Sequence, residues 1–170
     1  MHDMPQSWPP FEVLSSLQKL QALQSLVEQP QDEQGETLPS EAIGWLSRLL
    51  VVRACGHLEQ VVRVCTRAYV DEKSGGPVRL FGLSWLEKSR NPSQSALEEL
   101  LTRFDEGWCK DFTNFLTVDD ERLHRDLASA IDKRNRIAHG ENEGASRDQA
   151  LRLCKAIVEI SDWWADRFKH

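Results

Sequence analysis

Apolar positions recur along the chain at steps of three and four, the period of helices that bury one face, and no stretch alternates like a strand for more than a few residues. Residues 1–10 are polar and Pro-rich, an irregular lead. Pro10 stands where a first helical turn tolerates proline, and Phe11, Leu14, Leu17, Leu20, Leu23 and Val27 then mark an amphipathic helix to about Glu28. Residues 29–39, rich in Gln, Asp and Glu and carrying a Gly and two Pro, read as a linker or long loop. The expected division is an N-terminal accessory helix and linker, 1–39, followed by a helical domain, 40–170. That domain opens with Ser40 as N-cap and a helix running without proline to about Asp71. Its main stripe is Ile43, Leu46, Leu50, Ala54, Val61, Val64, Cys65 and Ala68, widened by Val51, Val52, Cys55 and Val62. The helix is therefore central and mostly covered.

Ser74-Gly75-Gly76-Pro77 breaks the chain. A short helix with Leu80, Phe81, Leu83, Trp85 and Leu86 stops before Asn91-Pro92, which supply the cap and first position of the next, whose Leu97, Leu100, Leu101 and Phe104 point inward. Gly107 interrupts, and Trp108, Phe112, Phe115 and Leu116 continue as a short helical or irregular segment, an aromatic band read as core because no basic residues interleave with it as on a base-stacking platform. Thr117 to Glu121 provide a cap and acidic first turn for a helix with the stripe Leu123, Leu127, Ala130, Ile131, Ile137 and Ala138. Ser146 with Asp148 opens the last helix, with Leu151, Cys154, Ile157 or Val158, Ser161, Trp164 and Phe168 inward. The expected fold is all-α, two long antiparallel helices with shorter ones packed on them.

With 170 residues, 40% hydrophobic and 28% charged, the chain has the composition of a soluble globule with a core of its own. No apolar run approaches the ~20 residues of a membrane span, and the start, Met1 to Pro5, lacks a basic flank and apolar core. The expected location is the cytoplasm. Cys55, Cys65, Cys109 and Cys154 are widely spaced and read as buried thiols, with no zinc, cofactor or disulfide role. A phosphate loop, His-Glu-x-x-His and Gly-x-Ser-x-Gly are all missing, which removes kinase, metallohydrolase and serine-hydrolase readings. A net charge of −6 argues against a broad grip on nucleic acid, so any RNA chemistry needs a local basic cleft.

Candidate chemistry concentrates in Lys133-Arg134-Asn135-Arg136-Ile137-Ala138-His139-Gly140, ended by a glycine able to stop a helix. Arg134 falls inside the apolar stripe. An uncompensated buried charge costs roughly 3–5 kcal/mol, so Arg134 needs an anion or an opening. Asn135 and His139 lie about 40° apart on a helix, Arg134 and His139 about 140°. Bringing Arg134 and His139 onto one substrate requires the helix to loosen before Gly140, or a second copy of the chain. Lys133 and Arg136 point to the solvated side, either a solubilising face or support for an RNA cleft. Glu141 and Glu143 follow His139 closely, either tuning it or serving as loop charges. On the long second helix His57 falls on the buried stripe, where a hydrogen-bonded core histidine is the usual outcome, while Glu59 has Arg63 four residues on as an ion-pair partner.

The pattern Arg-Asn-x-x-x-His, here Arg134, Asn135 and His139, resembles the signature of the HEPN superfamily, helical domains that include many metal-independent ribonucleases. The wording Arg-Asn-Arg-Ile-Ala-His-Gly, with Asn91-Pro92-Ser93 before a Leu-rich helix running on to Phe104 and Trp108, looks most like its RiboL-PSP-HEPN branch. The likeness covers roughly residues 40–168 and leaves the opening helix outside. It implies Arg134 and His139 as a catalytic pair, Asn135 as a polar helper, and an acidic residue near Glu59 that orients Arg134. It further implies RNA cleavage by 2′-hydroxyl attack to a 2′,3′-cyclic phosphate in a symmetric homodimer, without a metal or cofactor, in a toxin or defence setting with an antitoxin or other protein partner. The alternative is a non-catalytic RNA- or nucleotide-binding or protein-interaction module of such a system.

Overall fold

The computed structural model describes residues 8–87, 93–141 and 144–169. Among them six helices follow in order, α1 Phe11–Glu28, α2 Ser40–Lys73, α3 Gly76–Leu86, α4 Gln94–Phe104, α5 Glu106–Ala138 and α6 Arg147–Arg167. The β-type pairing found there is a lone bridge, Gln31 with Thr37. The chain is all-α, as its periodicity predicts.

The longest helices, α2 and α5, are antiparallel: Glu59 meets Arg134 and Tyr69 meets Trp108, so residue numbers rise along one as they fall along the other. Helix α6 lies along α2, with Trp164 Nε1 donating to Thr66 Oγ1 at 3.1 Å, and shares the most extensive helix contact with it. Leu50, Val51, Ala54, Leu58, Val61 and Cys65 of α2 are buried against Leu153, Cys154, Ile157, Ile160 and Trp164 of α6. The buried face of α2 is turned toward Val51, Cys55 and Leu58, which joins the two expected stripes into one. At one end Tyr69, Phe104, Trp108 and Phe168 bring α2, α4, α5 and α6 together with ring centroids 5.2 to 6.1 Å apart. Such pairs contribute about 0.5–1.5 kcal/mol each beyond area burial, and the aromatic band is core.

The opening helix, expected as an accessory, buries Val13, Leu20 and Val27 in the same core. Arg147 of α6 closes its far end, donating to the carbonyls of Val27 at 2.9 Å and Glu28 at 2.5 Å, which would otherwise lack helical partners. His57 is buried beneath α1, its Nδ1 2.9 Å from Ser16 Oγ. Burial lowers its pKa from 6.5 to about 4, so it sits neutral in the core.

Several boundaries differ from expectation. Pro39, with no side-chain cap bond, is the N-cap of α2, and Ser40 is its first residue. The cap expected at Asn91-Pro92 lies outside the described residues, and α4 is capped by Ser93, which accepts from Ala96 N at 3.1 Å. Gly107 does not interrupt: Asp105 caps α5 by accepting from Gly107 N, and a Cβ on Gly107 would stand 2.7 Å from that carboxylate. The break falls later, where Asp119, Asp120 and Glu121 adopt φ near 56°. Left-handed backbone costs ordinary residues about 1–2 kcal/mol each. Three acids at the positive N-terminal end of the following segment, Asp120 among them pairing with Arg125 at 3.6 Å, recover part of that. Helix α3 rests on α2, where a Cβ on Gly82 would come within 2.9 Å of Val70, and leaves Val78, Leu80 and Phe81 exposed.

Candidate active site

Leu123, Leu127 and Ala130 of α5 are buried toward the bundle, and the next position on that face is Arg134. A guanidinium carried there by the apolar period must find an anion. Of the two partners open to Glu59, the ion pair forms with Arg134: Nη2 donates to Glu59 Oε1 at 2.5 Å, with the side chains 22% and 34% exposed. Nη1 donates to Asn135 Oδ1 at 3.0 Å. The guanidinium is held on both its terminal nitrogens at the rim of a recess lined by Cys55, Leu58, Glu59 and Ile131. Burial pushes the Cys55 thiol up to about 12 against the opposing pull of Arg134, so the recess floor is neutral. Among the described residues no group of three His, Cys, Asp or Glu side chains is arranged to hold a metal ion.

The helix ends where Gly140 allows it. His139 is the C-cap and Gly140 has φ +75°, with Gly140 N donating to Ile137 O at 3.1 Å and Glu141 N to Arg136 O at 3.0 Å. These two bonds form a Schellman motif, satisfied without a Cβ penalty only when glycine holds the left-handed position. The helix therefore stays regular through Ala138, and His139 stands exposed one turn beyond Asn135, its backbone N donating to Asn135 O at 3.0 Å. Among the described residues no side chain hydrogen-bonds its imidazole. A single chain brings Glu59, Arg134 and Asn135 together and leaves His139 at the edge of that group.

The supporting cations separate. Arg136 is exposed and pairs with Glu141 at 3.1 Å. Lys133, expected on the solvated side, is buried and donates to Gly144 O at 3.2 Å. The loop into α6, with Ala145 buried, folds over the side of α5 that a helical wheel alone leaves open. Lys133 thus ties that loop down and does not line a cleft. Glu143 lies outside the described residues.

On the outer side of Glu59 a cleft of about 380 Å³ is lined by Gly56, Glu59, Gln60, Arg63 and Arg67 of α2, and by Leu86 and Glu87 at the end of α3. By sequence Arg63 is only a partner for Glu59; the four-residue step from Glu59 to Arg63 to Arg67 is the signal that places all three along one side of α2. A second missed pair is Asp126 with Arg152 at 2.5 Å, where the carboxylate is buried and its Oδ2 has no hydrogen-bond partner among the described residues.

Comparison with protein families matches residues 12–163 to the family described as RiboL-PSP-HEPN. The matched span begins inside α1, so the opening helix belongs to the likeness that was expected to exclude it. No curated protein and no solved structure matches. No helix among the described residues is long and apolar enough to cross a membrane.

Proposed function

The chain belongs to the RiboL-PSP-HEPN family, a membership that suggests ribonuclease or RNA-binding activity, and from it we propose a metal-independent endoribonuclease of toxin or defence type, active as a homodimer in the cytoplasm. The observation that carries the proposal is the doubly held Arg134 guanidinium at the rim of the recess. An arginine anchored through two nitrogens keeps further N–H donors in a fixed fork, suited to the non-bridging oxygens of a phosphate.

In this reading the 2′-hydroxyl attacks the adjacent phosphorus and the P–O5′ bond breaks, giving a 2′,3′-cyclic phosphate and a 5′-hydroxyl end. The proton leaving the 2′-oxygen passes to one imidazole, and the 5′-oxygen takes a proton from another. Histidine suits both roles because imidazole ordinarily titrates near neutrality. Arg134 stabilises the charge that develops on the phosphoryl oxygens. The Asn135 amide, with its oxygen occupied by Arg134, keeps its NH₂ for a phosphate oxygen or the ring of His139. One imidazole cannot serve opposite faces of the phosphorus at once. A two-fold dimer supplies His139 and the partner's His139 on either side.

The exposed, unsupported ring of His139 favours a second reading, a module that binds RNA or a protein partner such as an antitoxin without cutting. The two separate in one experiment. End-labelled single-stranded and structured RNA is incubated with the chain in excess EDTA, beside Arg134→Ala and His139→Ala. Cyclic-phosphate ends from the parent alone support the ribonuclease; no cleavage by a folded, dimeric parent of RNA that it binds leaves the module.

A further inference from the structure

One stripe of α2 carries chemistry that cleavage leaves unused. Arg53, Gly56, Gln60, Arg63 and Arg67 follow at steps of three and four, within about 80° of the helix circumference. The three arginines are exposed and span about 21 Å along the axis, at 1.5 Å per residue. In a chain of net charge −6 the strip gathers three cations on one face of α2. Among the described residues Arg53 and Arg63 have no carboxylate within ion-pair distance, and Arg67 has Glu87 at 3.5 Å, an exposed pair that water and salt weaken.

Gly56 is an independent observation. It lies in the interior of a 34-residue helix, where glycine lowers stability relative to alanine, and a Cβ there would meet nothing within 4 Å. Nothing among the described residues requires a glycine there. It leaves the backbone bare on the cleft floor just under one turn before Glu59, as suits a place where something outside the chain comes close.

We infer that this stripe is a track for the phosphodiester backbone of a single RNA strand, leading along α2 toward Arg134 and passing over the helix at Gly56. The inference rests on RNA being the ligand of the site, though not on its being cut. Successive arginines at positions 63 and 67 are about 6 Å apart along the axis, close to the step between neighbouring phosphates of an extended strand. The cleft lies between α2 and the end of α3, and in the proposed track Glu87 is displaced from Arg67 as a phosphate arrives.

The test is binding of a fluorescent single-stranded RNA to the full chain carrying His139→Ala, which removes cleavage, measured across a salt series. Each phosphate contact on a single strand contributes about 0.7 to the slope of log affinity against log salt. Arg53→Gln, Arg63→Gln and Arg67→Gln together are expected to lower that slope by about 2 and weaken binding at least ~10-fold; Gly56→Leu is expected to weaken binding with the slope kept. Arg63→Glu alone, expected to lower the slope by about 0.7 and to weaken binding, takes the place of the triple variant should that lose its melting transition. A triple variant with the parent's slope and affinity overturns the track, as does a parent that binds no RNA. A change in sedimentation with RNA binding intact also overturns it and makes the stripe a contact between copies of the chain. Binding that follows the expected pattern in a chain whose native form never cuts RNA leaves the track standing and removes the ribonuclease reading.

Discussion

Replacing Glu59 by Gln keeps the size of the side chain and one acceptor oxygen while removing the charge that faces Arg134. The pair is partly shielded, at 22% and 34% exposure. Its contribution to stability therefore falls between the 0–1 kcal/mol of surface pairs and the roughly 3–5 kcal/mol lost when a fully buried pair is broken. About 1–2 kcal/mol is expected, read as a lower urea midpoint at unchanged slope. The effect on cleavage is larger. Arg134 would keep Asn135 but lose its stronger anchor, and an ångström of misplacement costs about 10²-fold in rate. Glu59→Gln should thus lower single-turnover cleavage about 10²-fold with KM little changed. Because Glu59 acts through Arg134, adding Glu59→Gln to Arg134→Ala should cost almost nothing more. Losses that multiply, or a Glu59→Gln chain that is destabilised yet cleaves at the parent's rate, would show the pair to be scaffold only.

Three further outcomes follow from the same geometry. His57 binds a proton near pH 6.5 when the chain is unfolded and only near 4 when it is folded, so acid favours unfolding. Stability is full above pH 6.5 and falls toward pH 4 by about 3 kcal/mol at ~1.4 kcal/mol per tenfold difference in proton affinity; urea midpoints across that range check it, and His57→Leu should flatten the fall. Arg152→Ala strands the buried Asp126 carboxylate and should cost about 3 kcal/mol, whereas Asp126→Ala leaves behind an arginine that water can solvate and should cost less; the two melting curves decide. Gly140→Ala places a Cβ at φ +75°, with an expected cost of about 1–2 kcal/mol and a fall in cleavage as His139 shifts, measured on the same protein by melting and by RNA assay.

The fold class and the end of the motif helix were legible because each rests on a local signal. Apolar period identifies helices whatever they pack against, and Gly140 followed by polar residues stops a helix by itself. His57 on the apolar stripe of α2 was legible for the same reason. What failed depended on neighbours distant in sequence. Lys133 is buried because the loop at Gly144 folds over it, a fact no helical wheel contains. The opening helix, free by sequence to dock on the domain or on a partner, buries Val13, Leu20 and Val27 in this core, and Arg147, more than a hundred residues away, satisfies its last carbonyls. Glu59 had two arginines in reach by sequence, one on its own helix and one across the bundle. Only the antiparallel contact of α2 with α5 decides between them.

Stability alone gives no reason for Arg134 to stand in an apolar stripe. A shielded ion pair is commonly matched or exceeded by well-packed apolar side chains of similar volume, and α5 already continues its stripe with Ile137 beyond it. The pair has a cost as well as a partner: it places a short, directional contact on a helix face that leucine would close. What the arrangement retains is a guanidinium fixed at two points yet still open on one side, beside a cleft whose arginines lie on the same helix as its anchor. Such a group is already oriented before a phosphate arrives, so little of the binding energy is consumed in ordering it. The net charge of −6 then works with the site. A surface acidic on balance gives a polyanion little general hold, so a strand that binds here would be drawn by the local arginines at 63 and 67, beside Glu59.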